Sequence, residues 1–211
     1  MNKIIRRLTL GSAASLLALA SAAALLLAEG GAGAQTLSGM PLVDALKQGG
    51  YVIVMRHASA STQPPRRGQA APGNLAAEPQ LDDMGEATVE AMGYAFRKFA
   101  IPVADTFTSP QFAAFETAHF FGFGMRHKVD GLGVKSPSAD WLKTKVKEAP
   151  PAGQNVVIVT QQENLASAFG KDAENLEPGG ALIFRPGEAG AKLVGRMPIQ
   201  DWAKLAVLGH T

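Results

Sequence analysis

Apolar and polar positions alternate along this chain in two distinct rhythms. Tyr51-Val52-Ile53-Val54-Met55 is a continuous apolar run, opened by Gly49-Gly50 and closed by Arg56-His57. A run this short, rich in β-branched residues and bounded by glycines, predicts a strand buried on both faces. Asn155-Val156-Val157-Ile158-Val159-Thr160 repeats the pattern and ends in Gln161-Gln162-Glu163-Asn164. Between them, Met84, Ala87, Ala91, Ala95 and Phe99 recur at three- and four-residue spacings. That spacing predicts a helix over 82–99, with Asp82 or Asp83 to cap it and Pro102 past its end. A short helix from Pro41 to Gln48 leads into the first strand. Asp105 to Thr108 reads as a short strand, and Ser109-Pro110 as an N-cap followed by proline at the first helical position. The helix so begun runs from Gln111 to Phe121 and stops at Gly122. Ala139 to Glu148 is expected to be a surface helix with its lysines on one side. Gly180–Arg185 and Lys192–Met197, parted by Pro186-Gly187, read as a hairpin, and Ile199–Leu208 as a short closing helix. Strand–helix units in this order imply a parallel sheet and an α/β fold.

Two stretches carry no rhythm. Residues 58–80 are broken by Ser59, Ser61, Pro64, Pro65, Gly68, Pro72, Gly73 and Pro79, and read as a loop. A loop this long inside a domain is commonly functional or mobile. It carries Arg66, Arg67 and Glu78, for which a solvated excursion is the plain alternative. Gly122 to Pro137 reads as glycine-rich connection. Its Met125-Arg126-His127 repeats the residues at 55–57, but with no apolar strand before it the repeat is read as coincidence. Gly131-Leu132-Gly133 lacks the strand and helix that a dinucleotide site requires.

The start of the chain changes the charge balance. Lys3, Arg6 and Arg7 precede an apolar stretch from Leu8 to Ala28, and Ala32-Gly33-Ala34 supplies a small-x-small cleavage pattern. Residues 1–34 are read as a signal peptide cut before Gln35, which places the mature protein in the periplasm or outside the cell. An uncleaved membrane anchor is the alternative, since the stretch is long enough to span a bilayer. Without the leader, the 20 basic and 18 acidic residues become 17 of each. A neutral chain leaves no electrostatic footprint for nucleic acid. The chain has no cysteine, which excludes disulfides, thiolate metal sites and a lipid-modified cysteine. Residues 35–211 make one ordinary domain, with no internal repeat and no linker.

Candidate chemistry lies where the strands end, because open α/β sheets bind ligands beyond the carboxyl ends of their strands. Arg56-His57, Ser109-Pro110 and Thr160-Gln161 would converge on one such edge. Together with Leu81-Asp82-Asp83-Met84-Gly85-Glu86-Ala87 and Glu116-Thr117-Ala118, these stretches stand in the order and spacing of a known family. The chain resembles the histidine phosphatase superfamily, with its phosphoglycerate-mutase-like fold, and within it the small exported bacterial members. The resemblance covers about Gly49 to Met197 and implies a three-layer α/β/α sandwich around a mainly parallel sheet.

In that family a neutral histidine attacks phosphorus to give a phosphohistidine, which water then hydrolyses. Two arginines and a second histidine hold the transferred group. By resemblance, His57 is the nucleophile and Arg56 the first clamp. The second arginine falls at Ala113 here, and the second histidine at Gln161. Gln161 keeps a neutral amide donor, whereas Ala113 contributes only space, and Glu163 adds negative charge near the same edge. Arg66 or Arg67 folding over the pocket would replace the missing arginine. Glu78 is the candidate general acid. His119, six residues past Ala113 on the same helix, is placed roughly 240° around it and away from the site. Arg56, His57, Ser109, Gln161, Arg66 and Arg67 therefore form the candidate ligand-binding set, with no cofactor and no metal. A metal held by His57 and Glu163 is the weakest alternative.

The function expected is an exported protein with impaired or absent phosphatase activity, binding a phosphorylated or other anionic small molecule or acting in interactions. The alternative is a working phosphomonoesterase that uses His57 and a loop arginine.

Overall fold

The computed structural model describes residues 36–133 and 139–208. The expected leader at 1–34 and its expected cleavage site lie outside the described residues. Among the described residues, no helix is long and apolar enough to cross a membrane.

Six strands form one sheet: β1 (Val52–Arg56), β2 (Val103–Thr108), β3 (Met125–Lys128), β4 (Asn155–Thr160), β5 (Ala181–Arg185) and β6 (Lys192–Met197). Their spatial order is β3-β2-β4-β1-β5-β6. β1 to β4 run parallel, and β5 and β6 close the sheet as the expected antiparallel hairpin. The helices are α1 (Gly39–Lys47), α2 (Asp83–Lys98), α3 (Phe112–Phe121), α4 (Ala139–Lys145), α5 (Gln162–Phe169) and α6 (Ile199–Leu208).

The period-2 alternation of the strands divides the core in two. Ile53, Met55, Val157, Val159 and Ile183 face one side, where they meet Leu42 and Leu46 of α1, Met92 and Phe96 of α2, Phe121 of α3 and Trp202 of α6. Val52, Val54, Val156, Ile158 and Leu182 face the other, against Leu142 of α4 and Leu165 of α5. The result is the three-layer α/β/α sandwich expected around a mainly parallel sheet.

Caps and glycines set the element ends. Asp82 caps α2, its Oδ1 accepting from Gly85 N at 2.8 Å. Gly122 ends α3 with φ +75°, the left-handed conformation in which glycine is least strained. Gly49, at φ +73°, lies so close to the 153–154 backbone that a Cβ would fall 2.3 Å from the Gly153 carbonyl carbon.

Three expectations need correction. Ser109 is not the N-cap of α3, because Gln111 holds that place and the helix begins at Phe112. Ser109 is instead drawn inward to other partners, described below. The stretch at 125–128 is not featureless connection, since it forms the edge strand β3 in parallel register with β2. The residues after β4 form α5, a helix the polar run Gln162-Glu163-Asn164 did not suggest.

Candidate active site

The carboxyl ends of β1, β4 and β2 are adjacent because the strands are parallel neighbours. Arg56 pairs with Thr160, and Thr108 with Val159. Two further backbone bonds extend the order past the strands: His57 N donates to Thr160 O at 2.9 Å and Ser109 N to Val159 O at 3.0 Å. His57, Ser109 and Gln161 are thereby fixed along one edge.

A cavity of about 460 Å³ opens at this edge. Arg56, His57, Glu78, Gln111, Ala113 and Gln161 line it, together with backbone and side chains from the start and end of the 58–80 loop. Five of the residues singled out in the sequence thus meet around one space: Arg56, His57, Glu78, Ala113 and Gln161. Arg66 and Arg67 are exposed, and neither lines the cavity.

His57 Nδ1 and the Ala58 carbonyl oxygen are 2.8 Å apart. A carbonyl only accepts, so Nδ1 carries the hydrogen and Nε2 keeps its lone pair in the neutral ring. Burial pulls the His57 pKa below its ordinary 6.5, and the Arg56 charge acts in the same direction. The bond to Ala58 and the charge of Glu163 oppose that shift without reversing it. The ring is therefore a neutral imidazole near pH 7, the form in which histidine acts as a nucleophile.

Arg56 donates from Nη1 to the Leu176 carbonyl at 3.0 Å, which anchors the guanidinium while leaving it without a carboxylate partner among the described residues. Its Nε is buried with no hydrogen-bond partner. Glu78 reaches the site from the loop. Its Oε2 accepts from the backbone N of Phe112 at 2.7 Å, at the start of α3, where a negative charge is favoured by the helix dipole. The loop holds Glu78 in place through Asn74, whose Oδ1 accepts from Glu78 N at 2.9 Å and whose Nδ2 donates to Glu78 O at 2.8 Å.

Ser109 and Gln161 are both buried, and they satisfy each other. Gln161 Nε2 donates to Ser109 Oγ at 2.6 Å, and Ser109 Oγ donates to Gln111 Oε1 at 2.7 Å. One of the two Gln161 amide hydrogens is thus committed to the protein. Glu163 is exposed. Among the described residues, no group of three or more acidic or histidine side chains could hold a metal, so His57 and Glu163 lack a third ligand. His119 does face away, with its Nδ1 accepting from Arg126 Nη1 at 3.1 Å.

The site also contains residues that the sequence did not single out. Ser61, Thr62 and Gln111 line the cavity. Gln111 sits inside the serine-proline stretch and was legible there. Ser61 and Thr62 are brought back by the loop closure, in which Ala60 and Leu81 form an antiparallel bridge.

No family model and no curated protein matches the sequence. Solved structures do match. The protein histidine phosphatase SixA, solved with tungstate, is 13% identical with a TM-score of 0.52, and the match covers 72% of this chain and 98% of that one. A mutant phosphoserine phosphatase from Entamoeba histolytica, solved with phosphoserine, is 11% identical with a TM-score of 0.50, over 72% of this chain and 98% of that one. The phosphoserine phosphatase of the same organism with 3-phosphoglyceric acid is 12% identical over the same shares, with a TM-score of 0.50. The chain has the phosphoglycerate-mutase-like fold of the histidine phosphatase superfamily.

Proposed function

We propose that this chain is an exported protein of histidine-phosphatase fold that binds a phosphorylated or other anionic small molecule and turns it over slowly or not at all. The observation that carries the reading is the wall of the cavity. Ala113 and Gln161 line the space beside His57 where the family resemblance calls for an arginine and a histidine. Loss of one preorganised donor to a developing oxyanion lowers a rate about a hundred- to a thousand-fold. Two are missing here, and the amide at 161 already donates to Ser109. Arg56 remains as the cation, and one of its nitrogens is committed to Leu176. One guanidinium beside a neutral imidazole is enough to attract an anion and too little to spread the charge of a transferring phosphoryl group. Tungstate, phosphoserine and 3-phosphoglycerate in the neighbours' structures are consistent with an anionic ligand.

The unprotonated Nε2 of His57 favours a second reading, in which the protein is a phosphomonoesterase working through a phosphohistidine. Glu78, already inside the cavity, would then protonate the leaving alcohol. The deciding measurement is hydrolysis of an aryl phosphate by the purified protein from acidic to neutral pH, with His57→Ala alongside. The first reading expects the parent to sit at or close to the background rate of His57→Ala. Activity far above background that disappears in His57→Ala overturns it in favour of the esterase. Tungstate binding followed by calorimetry completes the test, with saturable binding expected and its weakening in Arg56→Ala.

A further inference from the structure

A second cavity, of about 520 Å³, lies between α3 and the loop turn at 71–73, and Arg56 and His57 take no part in its lining. One face of α3 supplies half of the lining residues. Phe112, Phe115, Glu116, His119 and Phe120 recur at three- and four-residue intervals, the spacing that puts side chains on one stripe of a helix. The aromatic members are organised: the Phe112 and Phe115 centroids are 5.9 Å apart, and the rings of Phe115 and His119 lie within 9° of parallel.

Three charged groups share this space: Glu116, Glu86 from α2 and Arg126 from β3. None of the three belongs to an ion pair among the described residues, with one another or with any other side chain. Glu116 is 5% exposed, and its Oε2 is fixed by the N–H of Leu81 at 2.7 Å. Burial, together with the nearby charge of Glu86, raises its pKa above the usual carboxylate range. Arg126 donates from Nη1 to His119 Nδ1 at 3.1 Å. A buried carboxylate beside a second carboxylate is unfavourable unless a cation relieves it. The one cation lining the cavity stands more than ion-pair distance from both.

The geometry points to a second ligand site for a small zwitterion with an aromatic or bulky apolar body, of which an α-amino acid is the simplest member. Its ammonium group sits between Glu86 and Glu116, and its carboxylate lies on the Arg126 guanidinium. Phe112, Phe115 and Phe120 cover the apolar body. Charge separation matching the ligand's own dipole distinguishes this site from the anion pocket at His57, and it does not depend on the reading given to that pocket.

The test is calorimetric titration of the purified protein with L-phenylalanine, with phenethylamine, which lacks the carboxylate, and with 3-phenylpropionate, which lacks the ammonium. Phenylalanine is expected to bind saturably at one site, and each truncated probe at least about tenfold more weakly, as loss of one charged hydrogen bond implies. Arg126→Gln should lower phenylalanine affinity to that of phenethylamine and leave phenethylamine unchanged. Glu86→Gln should weaken both. Arg126 is exposed and Glu86 half-buried, so both variants are expected to keep the parent melting temperature. His57→Ala should leave all three affinities unchanged. Absence of saturation by phenylalanine at millimolar concentration overturns the proposal. Affinities that Arg126→Gln and Glu86→Gln do not move, or tighter binding of either truncated probe, overturn it equally.

Discussion

Gln161 donates its Nε2 hydrogen to Ser109 Oγ across 2.6 Å, joining the ends of β4 and β2 beneath the His57 cavity. Asn164 supports the same edge, donating from Nδ2 to Thr160 Oγ1 at 2.8 Å. Neutral hydrogen bonds connect this edge where the family resemblance would place cations. Gln161→Ala should therefore act on stability. The loss of a buried hydrogen bond is expected to lower the unfolding free energy by about 1–2 kcal/mol. Urea denaturation read by far-ultraviolet circular dichroism will show it as a lower midpoint at unchanged slope.

If the pocket lacks turnover because its clamps are gone, returning them should restore it. Ala113 is 6% exposed and its side chain borders open cavity, so an arginine there has room to reach the space beside His57. The double variant Ala113→Arg, Gln161→His is expected to hydrolyse an aryl phosphate at least about a hundred-fold faster than the parent. Adding His57→Ala should return the rate to background. A double variant no faster than the parent would show that something other than the two missing clamps silences the site.

Proton linkage at His57 gives a third expectation. Its folded pKa lies below the ordinary 6.5, chiefly because the ring is buried. On acidification the unfolded chain therefore takes up this proton before the folded one does. The contribution of His57 to stability is intact above pH 6.5, declines as pH falls from there to the lowered folded value, and is constant below it. Denaturant midpoints measured across that range for the parent and for His57→Gln should differ in slope. The parent should lose more stability on acidification, and equal pH dependence would contradict the buried neutral ring.

Gly85 supports the loop from beneath. A Cβ there would come within 2.0 Å of the Ser59 carbonyl oxygen, and backbone cannot yield as a flexible side chain can. Gly85→Ala is expected to cost about 1–3 kcal/mol, the usual range for overpacking. The same variant should speed limited proteolysis within residues 61–80, because Ser59 also ties the loop to Asp82 through a 2.6 Å hydrogen bond.

The fold was largely legible because its signals are strong and local. The apolar runs at 51–55 and 156–159 leave no other place for those residues than a doubly covered sheet. Asp82 and Gly122 mark helix ends by chemistry that acts within a turn. β3 was not legible, because an edge strand with three exposed residues of four carries no apolar run and depends on β2 for its pairing. α5 was hidden for a related reason: its first residues are polar, and Leu165 alone supplies its fully buried apolar anchor. At the site, Arg56, His57, Ala113 and Gln161 could be placed from strand ends and spacing. The direction of the Gln161 amide could not, since it is fixed by Ser109, fifty-two positions away. The second cavity was out of reach entirely. Its aromatic stripe on α3 reads as core in the sequence, and the loop turn at 71–73 has no periodicity to show that it lies opposite.

One loop walls both cavities. Glu78 and Pro79 face the first, and Ala71, Pro72 and Gly73 face the second. The buried side chain of Asn74 holds Glu78 on one flank, and Gln80 Oε1 accepts from Ala71 N at 2.9 Å on the other. Hydrogen bonds through Asn74 and Gln80 thus tie residues that wall one cavity to residues that wall the other. Were an occupant of one cavity to displace this loop, the fit of the other would change with it. Thermodynamic reciprocity requires the two effects to be the same factor, whichever compartment is filled first. Occupancy of one chamber would then be reported as a change in the grip of the other, whether or not the site at His57 turns over.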